Sequence, residues 1–350
     1  MTVNYNRPQI NVNEKLNTNK TNIGQLGRKV LGAQTQEQLS DYVSAGRINQ
    51  IRNGDATINQ RGASSYSSNG YTLDGWFMGT ATTYTVTPHT LTVPFKGFNK
   101  AIRCQVTGSG NSDPYLLQRI ENGHRAFHQQ TVTFSFWAAG DVEMALASQG
   151  VSFPGGYGTV PFKDLVQIDE FRGGWRRFAV TAGMGDLSGL SYFQIGFELE
   201  PSTVFDVYFT GLQCEIGSSA SPFQHLPIAD QLAWNMRYYQ VLELDDMMIM
   251  RGATGTTYSL ADLQTNIFLS VPMRATPSTG NLAGGTPLTA QGFTNAYSSS
   301  PGTFEIALSA KSKHLLVPIY RANDDNGGTA LPTSVAFLTF SDDGFVTAEL

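Results

Sequence analysis

The sequence predicts an all-β protein: two antiparallel β-sandwich domains, jelly-roll-like, preceded by an extended N-terminal arm and one short helix. Three observations carry this expectation. Short runs alternate apolar and polar with period two, as in Phe134-Phe136 and Phe193-Ile195-Phe197. Turn residues separate these runs, and the chain holds 36 Gly. Charged residues are 15% and aromatics 11%, a balance that suits half-buried strands and not a disordered chain.

Residues 1–33 are rich in Asn, Thr, Lys and Gly, with scattered apolar residues. They carry too little apolar surface to order themselves, so they read either as a floppy tail or as an arm that orders on assembly. Ile10, Val12, Leu16, Ile23 and Leu26 are its candidate anchoring residues. Alternating residues such as Ile10 and Val12 suit entry into a partner as an added strand.

Residues 34–52 are the expected helix, with Thr35 and Gln38 placed as a capping box. Leu39, Val43 and Ile51 form a thin apolar stripe, interrupted by Gly46. Such a stripe is marginal alone and suits burial against its own copies or against the domain behind it; on the first reading these three are the candidate oligomerisation residues.

Residues 53–226 read as the larger jelly roll. Its expected strands include 70–78, 82–86, 101–106, 115–121, 130–138, 142–148, 175–181, 192–199 and 205–213. Cys104 and Cys214 sit in strand-like runs as buried thiols. Residues 227–240 are a linker with a short helix, because Ile228, Leu232 and Met236 recur every four residues behind Pro227. Residues 241–350 read as a second, smaller β-sandwich.

Chemistry is sparse. His124 and His128 stand four apart, but beside Asn122-Gly123 they read as a surface loop with no third ligand. The doublets Asp245-Asp246 and Asp342-Asp343 would point to opposite faces of a strand, so neither is a catalytic pair. Asp324-Asp325-Asn326 lacks the Gly and distant Glu of a calcium loop. No nucleotide-binding or nucleophile-elbow sequence is visible. The reading is therefore non-enzymatic, with no cofactor and no metal. The loop Phe153-Pro154-Gly155-Gly156-Tyr157 is the candidate sugar-binding element, since Phe153 and Tyr157 could offer flat apolar faces; the plainer reading is that Phe153 plugs the end of the sandwich and Tyr157 lies on its surface. A net charge of -5 argues against a basic nucleic-acid surface. No apolar run reaches the length of a membrane span, and no secretory leader is read, so synthesis in a cytoplasm is expected.

One stretch organises the chain. Leu212-Gln213-Cys214-Glu215-Ile216-Gly217 is followed by Ser221-Pro222-Phe223, then Gln231-Leu232-Ala233-Trp234 and Arg237-Tyr238-Tyr239. Asn53-Gly54-Asp55 through Ile58-Asn59-Gln60-Arg61-Gly62 precedes it, as do Leu117 to Glu121 and Thr131 to Trp137. Val271 to Ser278 and Val346 to Leu350 follow. Together, over about residues 53–350, this order resembles tailed-bacteriophage virion proteins of the tail-fibre and decoration type. Asn235 stands where that pattern has a cysteine, and His225-Leu226 where it has a charged pair. The resemblance implies a jelly roll similar to carbohydrate-binding modules, a homotrimer, and attachment to other virion proteins through the N-terminal arm. The expected function is a structural subunit of the virion, made in the host bacterial cytoplasm. Two alternatives stand beside it: a receptor-binding fibre that grips host surface polysaccharide, and a glycan-degrading tailspike. A glycan array separates the first from pure structure, and loss of polymer viscosity reveals the second.

Overall fold

The computed structural model describes residues 49–79, 84–108, 113–154, 158–201, 203–242, 267–275, 278–280, 304–310, 315–322 and 344–347. The arm, most of the expected N-terminal helix, Tyr157 and the three acidic clusters at 245, 324 and 342 lie outside these residues.

The fold is all-β. In chain order the strands are β1 (Gly70–Tyr71), β2 (Trp76–Gly79), β3 (Tyr84–Phe95), β4 (Phe98–Val106), β5 (Tyr115–Ile120) and β6 (Thr131–Gly140). They continue with β7 (Gly150–Phe153), β8 (Gly158–Val160), β9 (Val166–Phe171), β10 (Trp175–Gly183), β11 (Phe193–Glu198) and β12 (Phe205–Ile216). Two one-turn helices interrupt them, α1 (Gly123–Ala126) and α2 (Val142–Ala145). The strands form two six-stranded antiparallel sheets. The front sheet runs β1-β2-β5-β11-β7-β8, and the back sheet runs β3-β4-β12-β6-β10-β9.

Their inner faces supply one core. Phe134 and Phe136 from β6 meet Phe197 from β11, and Phe197 stacks on Phe209 at 4.0 Å between centroids. All four rings are fully buried. Cys104 and Cys214 are free buried thiols in this core, and burial pushes Cys104 up to about 12.

Several sequence expectations are corrected. The run 70–78 is two strands, broken at 72–75, where the Trp76 N–H donates to the Leu73 carbonyl. The run 142–148 is not a strand but begins with α2. Val-Glu-Met-Ala favours a helical turn, and the Met144 and Ala145 N–H groups both donate to the Asp141 carbonyl. The run 82–86 opens a strand that continues to Phe95. The expected N-terminal helix does not extend to residue 52: residues 49–52 are non-helical. Ile51 is 2% exposed inside the core of its own chain, so of its two expected places it takes the domain behind it and not a stripe between copies.

The reason is a gap in β12. Its register against β6 shifts between Thr210 and Gln213, and β4 pairs with it only as far as Phe209. Residues 49–54 fill the space. Asn49 Oδ1 accepts the Cys214 N–H at 3.0 Å, Asn49 Nδ2 donates to the Leu212 carbonyl at 3.2 Å, and the Leu212 N–H donates to the Gly54 carbonyl at 2.9 Å. A Cβ on Gly54 would stand 2.2 Å from the Leu212 oxygen, so only glycine allows this approach. Asn49 and Gly54 thereby satisfy backbone groups of Leu212 and Cys214 that the irregular pairing leaves over, and Ile51 between them is carried into the core.

After β12 come α3 (Ile228–Met236) and β13 (Tyr239–Leu242). β13 begins the smaller unit, built from β14 (Ile267–Phe268), β15 (Ser278–Gly280), β16 (Phe304–Ala310), β17 (Leu315–Ala322) and β18 (Gly344–Thr347). These make two three-stranded antiparallel sheets, β13-β18-β15 and β14-β17-β16.

Candidate functional site

The sequence candidate Phe153 is not a sugar platform. It ends β7 at 4% exposure and packs in the core, so its ring faces other side chains. His124 sits on α1, and His128 Nδ1 accepts the Leu187 N–H at 3.2 Å. Among the described residues, no group of three or more His, Cys, Asp or Glu stands where it could hold a metal. No described helix is long and apolar enough to cross a membrane.

The outer faces of the two large sheets hold what the inner core does not use. On the back sheet, Trp137 and Ala139 of β6, Trp175 of β10 and Tyr208 of β12 form a second apolar cluster. It is roofed by the chain itself. The β3–β4 hairpin bends over it at a register shift between Thr90 and Phe95 and turns through Lys96 and Gly97, both at positive φ. Phe95 thereby reaches Trp137, Phe171 and Trp175 at 5.2, 5.1 and 5.0 Å between centroids.

A second cover is the Ser221–His225 strap. Glu215, 1% exposed, accepts the Ser221 N–H and hydroxyl at 2.7 Å each. Arg177 Nη2 donates to the Ser221 carbonyl at 2.5 Å and to Ser135 Oγ at 3.0 Å. Gln213 Nε2 donates to Ser221 Oγ at 2.8 Å. Phe223 and His225 then close on Phe98 at 5.0 and 4.9 Å. Burial lowers Arg177 from its ordinary value, against the pull of Glu215 and Asp169. The network holds the strap down without leaving Glu215 buried and unpaired.

The front sheet is different. Its pairing places Tyr71, Phe77, Leu117, Gly196, Ser152 and Thr159 in one row across the strands. Leu117 is 4% exposed and Gly196 carries no side chain, so the middle of the row is low. One flanking row brings Tyr115 beside Glu198, and the other brings Arg119 beside Gln194. A shallow trough therefore crosses the sheet, with long side chains on both sides. Tyr115 lies across Gly79, where a Cβ would meet the ring at 1.8 Å. It stacks with Phe77 at 6.2 Å and 18°. Tyr71 meets Phe77 edge-on at 5.1 Å. The Arg119 guanidinium is 5.0 Å from both the Phe77 and Tyr192 rings. Arg119 Nε donates to Gln194 Oε1 at 3.4 Å, and Ser152 Oγ donates to Glu198 Oε1 at 2.7 Å. Tyr71, Phe77, Tyr115, Arg119, Tyr192, Gln194 and Glu198 are all half-buried. Flat apolar rings beside hydrogen-bonding groups can take a pyranose ring, whose faces are apolar and whose rim is hydroxyl.

A third construction joins the units. Arg52 stacks on Tyr238 at 3.4 Å and Arg61 on Tyr239 at 3.9 Å. Gln60 Nε2 donates to Asp74 Oδ1 at 2.6 Å and to the Tyr239 carbonyl at 3.0 Å. Gln231 Nε2 donates to Asp55 Oδ2 at 3.0 Å. Gln118 accepts the Arg52 N–H and donates to the Arg52 carbonyl. The motif 53–62 and the motif 237–239, far apart in sequence, form one interlock.

No family model and no curated protein matches the chain. Among solved structures, it is similar to an enzymatically active domain of tailspike protein 4 of bacteriophage CBA120. Identity is 14% over 48% of this chain and 21% of that one, with a TM-score of 0.31. The chain thus spans about a fifth of that structure's length. It is also similar to the CBM22-1 xylan-binding domain of Xyn10C from Paenibacillus barcinonensis, at 12% identity over 45% of this chain and 94% of that one, TM-score 0.26. A family 30 carbohydrate-binding module matches at 12% identity over 53% of this chain and 94% of that one, TM-score 0.29.

Proposed function

We propose that this chain is a non-enzymatic structural subunit of a tailed-phage particle, of fibre, spike or decoration type. The observation that carries the reading is the interlock. Stretches that resemble phage virion proteins in sequence, Asn53 to Gly62 and Arg237 to Tyr239, meet through two arginine–tyrosine stacks and Gln60. They fix the larger sandwich to the first strand of the smaller unit, as a load-carrying subunit requires. In this reading residues 1–33 attach the subunit to the particle and copies associate as a trimer. The test is to label the chain and locate it on purified particles by electron microscopy. Presence on the particle, lost when residues 1–33 are deleted, is the expected result. Absence from purified particles overturns it.

The front-sheet trough favours a second reading: the subunit also holds a host-surface glycan. Tyr115 and Phe77 supply the rings, and Arg119, Gln194 and Glu198 supply polar partners. Binding on a bacterial-glycan array that Tyr115→Ala abolishes supports it, and an array with no binding overturns it.

A further inference from the structure

α3 turns an apolar side to solvent. Ile228, Ala229, Leu232, Ala233 and Met236 fall along one side at helical spacing, the side that a surface helix ordinarily keeps for its core. Here Ile228 is 63% exposed and Leu232 36%, both alanines are exposed, and Met236 is half-buried. The buried residues are Gln231 and Asn235. Gln231 Nε2 donates to Asp55 Oδ2 at 3.0 Å and to the Leu226 carbonyl at 3.3 Å. Those bonds fix the rotation of the helix, which cannot roll its apolar side inward without leaving Gln231 and Asp55 without each other.

The N-terminal segment joins the body at the foot of this helix. The Asn49 N–H donates to Gln224 Oε1 at 3.0 Å, and the Gln224 N–H donates to Gln213 Oε1 at 2.9 Å. Gln224 stands four residues before Ile228. Residues 1–48 lie outside the described residues, and their last stretch carries Leu39 and Val43, four apart as Ile228 and Leu232 are. Val43, six residues from Asn49, and Leu232, one turn into α3, both lie within about 20 Å of this joint.

We infer that the apolar side of α3 is the seat for residues 39–47 of the same chain, laid antiparallel on it, with Val43 against Leu232 and Leu39 against Met236. Both stretches start from one joint, so the segment arriving at Asn49 runs opposite to the helix that leaves Gln224. Ridges spaced by four on each side can interdigitate, and the alanines let the two backbones come close. Ile51 already lies in the core of its own chain, and the seat continues that course outward. It does not depend on the virion role. In a virion subunit it fixes where the anchoring arm leaves the body, and any trimer then rests on other surfaces.

The experiment is disulfide trapping in the full chain. Val43→Cys with Leu232→Cys, Leu39→Cys with Met236→Cys, and each single variant are oxidised, and the bridges are located by peptide mapping. Cys104 and Cys214 are buried, and burial pushes both thiols above their ordinary value, so they take no part. The expected result is a bridge within one chain in a double variant and in none of the singles. Hydrogen exchange gives a second readout that needs no bridge geometry. Leu39→Ser with Val43→Ser should speed exchange of the 228–236 amides about tenfold, with the strands of the larger sandwich unchanged. Faster exchange there without a bridge keeps the seat and overturns the register. Bridges between chains alone overturn the inference in favour of a seam between copies. No bridge together with unchanged exchange overturns it outright.

Discussion

The two outer faces of the larger sandwich are made of the same materials and finished in opposite ways. Each carries a row of aromatics on alternate strand positions, with arginine among them. On the back sheet the β3–β4 hairpin and the Ser221–His225 strap lie over Trp137 and Trp175, which fall to 2% and 9% exposure. On the front sheet Phe77 and Tyr115 stay half-buried, with only single side chains such as Tyr71 and Arg119 against Phe77 among the contacts of the described residues. The difference teaches that a jelly roll need not offer both faces to ligand. Here one face is spent on stability by folding the chain back on it, and the other keeps its rings half-buried.

Substitutions can break that contrast. Trp137→Ala should cost most, about 3–5 kcal/mol, because Phe95 would lose the ring it closes on. Chemical denaturation measures it, and an effect below about 1 kcal/mol would mean that the roof is not packed as described. Glu215→Ala should cost about 2–3 kcal/mol, by leaving the Ser221 donors and Arg177 without their buried partner. Limited proteolysis should then cut first near Ser221. Tyr115→Ala, on the open face, should cost about 1 kcal/mol or less while abolishing any glycan binding. A stability loss as large as that of Trp137→Ala would erase the distinction between the faces.

The smallest expected effect is one of pH. Burial raises the Asp74 carboxyl above its ordinary value, against the bonds from Gln60. A raised acid binds its proton more tightly when folded. Stability from this group is therefore full below the unfolded value and is lost as pH rises through the folded one. Asp169 on the back sheet goes the other way. The Lys96 ammonium at 2.5 Å lowers it, so its contribution is present at neutral pH and lost as pH falls through its folded value. Unfolding midpoints followed from neutral to acid pH should show Asp74→Asn removing a gain and Asp169→Asn removing a loss. Identical profiles for the two variants would contradict these directions.

Much of the inner core was legible because alternation marks it directly. Phe134, Phe136, Phe193, Ile195 and Phe197 face inward as their period requires. The helix Ile228–Met236 was also legible, but its orientation was not. Gln231 and Asn235 are its buried residues, while Ile228 and Leu232 are exposed. Gln231 turns inward because Asp55 and the Leu226 carbonyl offer it acceptors, which no periodicity can report. The length of β3 was hidden by Pro88 and Pro94, which argue against a strand interior. They are tolerated because β3 is the edge of its sheet. The trough was invisible for another reason. Tyr71, Phe77, Tyr115, Arg119 and Tyr192 come from four separate stretches, and only the strand order makes them neighbours. The outward place of Tyr115 in the alternation of 115–120 was the one available signal. Of the two readings of the glycine-rich loop, the plug is the one Phe153 fits, since Val151, two residues before it on the same strand, is buried in the same core.

The interlock also decides where a pull on the chain would be felt. The chain enters the larger sandwich at Asn49, tied to Gln224 at 3.0 Å, and leaves it at Tyr239, tied to Gln60 at 3.0 Å. Entry and exit are bolted to each other beside the sheets. Tension between the N-terminal segment and the smaller unit would run through Asn49, the Arg52–Tyr238 and Arg61–Tyr239 stacks and α3, in shear. Residues 49–54 are bonded to β12 at Leu212 and Cys214 and to β5 at Gln118, so these two strands share that line of force and the other ten strands of the large sheets are reached through them.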